Sequence, residues 1–342
     1  ARRRAEEEAQ KKAEAAAAAR LTVKSLHERW ESTELWQRKD GGAEIRRSFE
    51  KDIFPNIGDL AAGDVKRAMV AKILDDVVLR GSPIIARNLL GDLRQMFGFA
   101  IKRGLLEQDP TSHLKRNDFG KKVERDRVLN EREIQELSRR LPEAGLQKTT
   151  ELALWIMLST CCRVGELTQA QWENIDFVSA TWHVPAEIAK NGKAHTVLLS
   201  EFSLWQFQQL YAISGHTKWC YPAGNKHDIH LCVKSISKQV HDRQRTVPMK
   251  NRSKATGMLR LSGGTWTPHD LRRTAATLMG TLGVRPDVIE KCLNHVEQNR
   301  LIRVYQRQEL KEEKRVAWKM LGERLDIVLR ETDSFIPILK VA

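Results

Sequence analysis

The residues best suited to chemistry lie in one stretch near the carboxyl end, between positions 266 and 307. His269 and Arg272 are three residues apart, His295 follows, and Tyr305 comes ten residues later. A tyrosine hydroxyl is a weak nucleophile at neutral pH because its free pKa is about 10. Histidine can take up the hydroxyl proton, and arginine offers charged, planar donors to phosphate oxygens. These residue types indicate phosphoryl transfer, with Tyr305 as the nucleophile.

Three motifs in this stretch occur together in one known family. HDLRRTAATLM contains His269 and Arg272, LNHVEQ contains His295, and RVYQR contains Tyr305. In this order and spacing they resemble the tyrosine recombinase (phage integrase) family, and within it the integrases of prophages and genomic islands. One departure is Asn294, which stands where the family most often has glycine or alanine. We expect this change to alter the turn without inactivating the site.

A fourth motif, RVGEL, follows the dense apolar run ELALWIML, which predicts a buried helix. An arginine directly after a buried helix needs an anion. Taken alone, Arg163 and Glu166 would be interpreted as an internal salt bridge. Beside the other motifs, Arg163 resembles the first phosphate-binding arginine of the family, and Glu166, three positions on, is expected to orient it and a neighbouring histidine through hydrogen bonds.

The resemblance implies a role for each candidate residue. Arginines neutralise the non-bridging oxygens of the scissile phosphate, one histidine donates a further hydrogen bond, and the other assists proton transfer from the tyrosine. A lysine protonates the leaving 5′-oxygen. The predicted catalytic residues are Arg163, Glu166, Lys190, His269, Arg272, His295 and Tyr305.

The lysine is expected on a small antiparallel sheet. Residues 174–200 switch to strand-like patterning, and Asn191-Gly192 is the dipeptide most favoured in a tight hairpin. Lys190 and Lys193 flank this dipeptide. The resemblance implies a general acid here; Lys190 matches the family position best, and Lys193 is the alternative. In another context, either lysine would be interpreted as a solubilising surface residue.

Composition agrees with a polyanionic partner. Lysine and arginine outnumber aspartate and glutamate by 58 to 44, which gives a formal charge of +14. Charge alone fits a merely soluble basic protein equally well. No apolar run reaches the roughly 18 residues needed to cross a bilayer, and no secretory leader is present. We therefore expect an intracellular protein without membrane association, and the resemblance implies that it lies in the bacterial cytoplasm, associated with DNA.

Neither a metal nor another cofactor is predicted. Five cysteines in a long chain do not indicate a disulfide framework. The spacing of Cys220, His227, His230 and Cys232 matches no common zinc pattern, so surface histidines and small buried thiols are the simpler interpretation. In the implied chemistry, arginines supply the positive charge and the phosphotyrosyl bond conserves the energy of the phosphodiester.

Composition and pattern divide the chain into five segments. Residues 1–20 read as a charged helical linker, which the resemblance places after a missing arm-binding domain. Residues 21–122 resemble the helical core-binding domain, residues 123–129 an interdomain linker, and residues 130–330 the catalytic domain. Residues 331–342 form an apolar tail that docks either on a neighbouring protomer or within the chain.

Two helical stripes are specific enough to test. Ser82-Pro83 predicts the start of a helix that ends near Gly104 and buries a stripe beginning with Ile85. After Tyr305, an amphipathic helix is expected to bury a stripe beginning with Val316.

The predicted fold is mainly α with a small antiparallel β-sheet, arranged as a two-domain DNA clamp. The predicted function is site-specific integration or excision of a mobile element through a 3′-phosphotyrosine. Double-stranded DNA with attachment-site core sequences is the expected partner. The resemblance further implies a homotetramer on DNA, with an accessory DNA-bending protein and an excisionase as possible partners. The alternatives are a non-catalytic DNA-binding protein and a type IB topoisomerase-like enzyme.

Overall fold

A computed structural model describes most of the chain, namely residues 21–121, 125–224, 226–296 and 308–333. Within these ranges the chain is mainly helical, as predicted, and it divides into two compact units, Ala1–Arg125 and Asp126–Ala342. Residues 1–20 of the predicted first linker, 123–124 of the predicted interdomain linker and 334–342 of the tail lie outside the described residues, as does Tyr305.

Five helices build the described part of the first unit. They are α1 (Val23–Thr33), α2 (Ala43–Asp52), α3 (Phe54–Ile57), α4 (Arg67–Leu79) and α5 (Pro83–Lys102), with short 3-10 turns at Leu35–Gln37, Ala62–Asp64 and Arg116–Phe119. Helix α5 begins after Ser82 and is followed by Gly104 with φ +65°, as the sequence predicts. Leu89, Leu93 and Phe97 are buried, but Ile85 is 41% exposed, so its predicted place in the stripe is wrong.

The second unit is built on helices of very different length. They are α6 (Glu131–Arg140), α7 (Lys148–Thr160), α8 (Val164–Thr168), α9 (Glu201–Ser214), α10 (Lys234–Asp242), α11 (Pro268–Thr281), α12 (Pro286–Cys292) and α13 (Lys311–Asp333), with 3-10 turns at Pro142–Ala144 and Trp172–Asn174. Asn130 and Glu133 form the predicted capping box of α6. Helix α7 lies at the centre, packed against α9 and α11. No helix in the described ranges has the length and apolarity needed to cross a membrane.

Two small antiparallel sheets complete this unit. The first contains β1 (Ile175–Asp176), β2 (Thr181–Val184) and β3 (His195–Leu198) in that order, and the second pairs β4 (Pro222–Ala223) with β5 (Lys226–His230). The antiparallel sheet of residues 174–200 is therefore confirmed. The predicted tight hairpin is wrong: residues 185–194 form a longer loop between β2 and β3, and Gly192, with φ +68°, lies within it.

Helix α13 packs into the body of its own unit. It contacts α6, α9, α11 and α12, and Trp318, Leu321 and Leu325 are buried. The Trp318 indole donates a hydrogen bond to the carbonyl oxygen of Thr160 at the end of α7 (3.2 Å). Val316 is 53% exposed, so the predicted stripe is wrong at its first position because the buried face begins one residue later, at Ala317.

Candidate active site

The first candidate arginine lies just beyond the end of the buried helix α7. Cys161 caps that helix in the left-handed region (φ +59°), and the chain then reaches Arg163 at the start of α8. The Arg163 backbone N–H donates to Glu166 Oε2 (2.9 Å), and its Nη1 donates to Oε1 (2.7 Å). Glu166 is buried, so its charge is compensated mainly by this arginine. The pairing orients the Arg163 guanidinium.

Helix α11 positions the second arginine. Thr267 caps the helix, and Asp270 accepts hydrogen bonds from the Thr267 N–H (2.8 Å) and hydroxyl (2.9 Å). Arg272 is only 4% exposed and donates to the carbonyl oxygens of Cys161 and Leu293. These carbonyls fix the plane of the guanidinium from the ends of two other elements.

His295 lies in the turn after α12. Its Nδ1 is 2.8 Å from Glu290 Oε2, and its Nε2 is 3.2 Å from Arg272 Nη2. With the proton on Nδ1, the imidazole donates to Glu290 and accepts from Arg272. The ring is therefore held between a carboxylate and a guanidinium, with one edge towards the same cavity as Arg272.

A cavity of about 830 Å³ joins these groups. Its lining residues are Arg163, Lys190, Asn191, His269, Arg272, Arg273, Ala276, Glu290, Leu293, Asn294, His295 and Val296. The structure thus brings five of the seven predicted residues to one cavity, with Glu166 bonded to Arg163 beside it. Tyr305 lies outside the described residues, and Lys193 is not among the lining side chains.

Positive charge dominates this cavity and changes the titration of His269. Desolvation, together with the guanidiniums of Arg273 and Arg272, lowers the pKa of His269 below its ordinary value. A neutral imidazole at pH 7 is suited to accept a proton. Burial lowers the pKa of Arg272, and the positive charge of the nearby Arg163 lowers it further.

Sequence reasoning missed several residues of this site. Asn191, Glu290 and Arg273 line the cavity, and His195 lies next to it, with Nδ1 2.9 Å from Asn294 Nδ2. Arg273 follows Arg272 directly, and this proximity was the one available signal. Asn191 and His195 depend on contacts between a strand loop and a helix end about a hundred residues apart, whereas Glu290 bonds to His295 five residues along the chain.

His195 is held in its neutral form. Burial, together with the positive charges of Arg163, Arg272 and Lys314, lowers its pKa to about 4, although Glu166 opposes the shift. The unfolded chain binds the proton near pH 6.5, whereas the folded chain binds it only near pH 4. The contribution of the neutral form to stability is therefore present above pH 6.5 and is lost as pH falls towards 4.

The lowered pKa of His195 predicts that the protein loses stability in acid. His195→Gln should lose less. Between pH 7 and pH 4.5 the free energy of unfolding of the wild type should fall by about 2 kcal/mol more than that of the variant. Urea titrations at the two pH values measure the difference. His183→Gln, which changes an exposed histidine on β2, is the control. Equal losses in wild type and His195→Gln would contradict the prediction.

Comparison with known proteins identifies two matching family models. Residues 127–312 match the phage integrase family, and residues 9–117 match the phage integrase central domain. Together the matches extend over both compact units.

Individual proteins with similar sequences are also integrases. The chain is 27% identical over 291 residues to prophage integrase IntA of Escherichia coli K12, covering 84% of this chain and 65% of that protein. It is 23% identical over 333 residues to the integrase of Enterobacteria phage P4, covering 93% of this chain and 72% of that protein. This chain therefore spans just under two thirds of the length of IntA.

Solved structures share the fold at low sequence identity. A lambda integrase dimer bound to a COC′ core site matches with a TM-score of 0.62 and 16% identity, over 84% of this chain and 96% of that one. The Tn1549 transposon integrase in complex with circular intermediate DNA matches with a TM-score of 0.60 and 16% identity, over 81% and 92%. A lambda integrase tetramer bound to a Holliday junction matches with a TM-score of 0.64 and 16% identity, over 82% and 79%.

Proposed function

Because the chain belongs to the phage integrase family, a family of site-specific tyrosine recombinases, we propose that it integrates or excises a mobile genetic element by breaking and rejoining DNA through a 3′-phosphotyrosine. The observation that carries the proposal is the convergence of Arg163, Lys190, His269, Arg272 and His295 on one cavity. The start of α8, helix α11 and two loops contribute these side chains, so packing within a single helix does not explain why all five meet.

In the proposed reaction, the Tyr305 oxygen attacks the scissile phosphorus while the bond to the 5′-oxygen breaks. His269 accepts the phenolic proton, and Lys190 gives a proton to the departing 5′-oxygen. Arg163 and Arg272 neutralise the charge that develops on the non-bridging oxygens. The reverse attack by a 5′-hydroxyl of a partner strand restores a phosphodiester and releases the tyrosine.

In this scheme His295 helps to stabilise the negative charge that develops on the non-bridging phosphate oxygens. A phosphate oxygen that enters the cavity would accept hydrogen bonds from Arg272 and from His295. Glu290 Oε2, 2.8 Å from Nδ1, fixes the orientation of the ring.

We further propose the domain roles that the resemblance implies. Residues 21–122 form a core-binding domain and residues 130–330 the catalytic domain, joined by the linker 123–129, and together they grip double-stranded DNA at attachment-site core sequences. The formal charge of +14 supports this partner. By analogy with the lambda integrase tetramer bound to a Holliday junction, a homotetramer forms on DNA in bacterial cytoplasm. We also predict that an accessory DNA-bending protein and an excisionase act as partners.

A nicked DNA substrate tests the function directly. The duplex carries the presumed attachment core with a nick just beyond the scissile phosphate. After cleavage the short leaving strand diffuses away, so the reverse reaction cannot occur and the covalent product accumulates. Wild type should give a covalent protein–DNA band on a denaturing gel, and Tyr305→Phe should give none because it lacks the attacking oxygen. A mobility-shift assay should give equal DNA binding for both proteins.

Three results would contradict the proposal. A covalent band of equal strength with Tyr305→Phe would exclude this residue as the nucleophile. Sequence-specific DNA binding by the wild type without any covalent band would indicate a non-catalytic DNA-binding protein. Relaxation of supercoiled DNA that lacks the core sequence would instead indicate a topoisomerase-like activity.

A further inference from the structure

We propose that Asn294 is a positioning residue, which ties the turn that carries His295 to the loop that carries Lys190. The inference rests on the recombinase function proposed above and deepens it. It explains how the general acid, which lies on an exposed loop, is held against a phosphate bound by side chains from helical elements.

Reciprocal hydrogen bonds connect the two loops. Asn191 Nδ2 donates to the Asn294 carbonyl oxygen (2.8 Å). In return, Asn294 Nδ2 donates to the Lys193 carbonyl oxygen (3.0 Å) and to His195 Nδ1 (2.9 Å), with Asn191 Oδ1 at 3.4 Å. An amide nitrogen carries two protons, so the Lys193 and His195 contacts satisfy it and the longer contact is secondary.

His195 is suited to its part in this arrangement. Its depressed pKa of about 4 keeps the imidazole neutral at pH 7. A neutral ring that is protonated on Nε2 presents Nδ1 as an acceptor for the Asn294 amide. The contact therefore persists across the neutral pH range.

The backbone of Asn294 explains which residue types fit this position. Its φ is +47°, in the left-handed region, where glycine is unstrained and asparagine is tolerated better than most other residues. Glycine would keep the turn but would offer no side-chain amide. The exchange of asparagine for glycine thus separates the two contributions of this residue, the turn and the connection to the lysine loop.

The loop also has anchors of its own, since the Ile188 and Ala189 N–H groups donate to the Pro185 carbonyl oxygen (3.3 and 3.1 Å) and the Gly192 N–H donates to that of Ala189 (3.1 Å). Ala189 is buried beside Lys190, and the Lys193 N–H donates to Asn191 Oδ1 (3.1 Å) within the loop. The Asn191 and Asn294 amides connect this loop to the wall of the cavity that holds His295. Because general acid catalysis requires the donor within hydrogen-bond reach of the leaving atom, a shift of about 1 Å can cost about 10²-fold in rate.

A substrate that needs no general acid provides the test. In the ordinary duplex, the P–O5′ bond breaks and the oxygen takes a proton from the lysine. When sulfur replaces the bridging 5′-oxygen, the P–S bond breaks and the electron pair leaves as a thiolate, which needs no proton because thiols are much stronger acids than alcohols. Single-turnover cleavage of both duplexes by saturating full-length protein gives two rates for each variant.

For Asn294→Gly, we expect cleavage of the oxygen duplex to be about 10- to 100-fold slower than for wild type, and cleavage of the sulfur duplex to be within about threefold. Asn191→Ala, which removes the reciprocal donor, should show the same pattern. Lys190→Ala shows the effect of losing the general acid and should be slow on the oxygen duplex only. Arg163→Ala shows the effect of losing phosphate binding and should be slow on both duplexes.

The outcomes separate this inference from the proposed function. Equal slowing of Asn294→Gly on both duplexes would assign Asn294 to the phosphate site or to the fold and would overturn the inference. Unchanged rates on both would overturn it as well. If the wild type cleaved neither duplex while binding both, the proposed function itself would be wrong, and the positioning role would fall with it.

Discussion

Replacing Arg272 by glutamine is expected to slow covalent cleavage by about 10²–10³-fold while leaving DNA binding within a few-fold of wild type. The guanidinium is buried and directed into the cavity beside His295, where it would meet charge that develops on the phosphate. Glutamine removes the charge but keeps a polar amide with two N–H donors, which lowers the folding cost of removing the bonds to the carbonyl oxygens of Cys161 and Leu293 more than alanine would. Single-turnover cleavage and mobility shifts on the same duplex measure both quantities.

The matched control is Arg285→Gln. Arg285 also loses a positive charge, but it is exposed, pairs with Asp287 (2.9 Å) and does not line the cavity. Its cleavage rate should remain within a few-fold of wild type. A comparable loss with both variants would show that net charge, and not the position of Arg272, determines the rate.

Lys190→Ala should slow cleavage of the ordinary duplex by about 10²–10⁴-fold, because the leaving 5′-oxygen would lose its proton donor. Lys190 lines the cavity together with both phosphate-binding arginines. The side chain is exposed, so its removal should change the thermal unfolding midpoint little. Rapid-quench measurement of covalent product formation gives the rate.

Lys193→Ala separates the two candidate lysines. Lys193 contributes its backbone carbonyl to Asn294, and alanine retains that carbonyl. The Lys193→Ala variant should therefore cleave DNA at a rate within a few-fold of that of the wild type. The opposite ranking, with Lys193→Ala slower than Lys190→Ala, would assign the general acid to Lys193.

Much of the fold follows from local signals in the sequence. The start of α5 at Pro83, the capping box of Asn130 and Glu133 and the strands on either side of residues 185–194 depend on neighbours within a few positions. The errors arise where local pattern does not decide. Ile85 and Val316 have the spacing of a buried stripe, but both side chains are exposed in the structure. The spacing within a helix does not show which of its positions another element covers.

The site divides in the same way. The motifs identify Arg163, His269, Arg272 and His295 because their spacing along the chain is distinctive. His195 and Glu290 carry no such mark, since each acquires its partner only when the chain folds. The Asn191-Gly192 dipeptide predicts a turn, but its sequence does not show that the Asn191 side chain bonds to Asn294, a contact between segments about a hundred residues apart.

The Leu293 carbonyl oxygen accepts hydrogen bonds from both Arg163 Nη2 (3.5 Å) and Arg272 Nη2 (2.5 Å). A neutral carbonyl offsets only part of the repulsion between two guanidiniums, whereas a phosphate diester brings a full negative charge. Glu166 compensates the charge of Arg163, and a phosphate in the cavity would add a negative charge beside Arg272. Any anion that fills the cavity raises the free energy of unfolding as it binds, so recognition of the substrate and completion of the native state are thermodynamically one event.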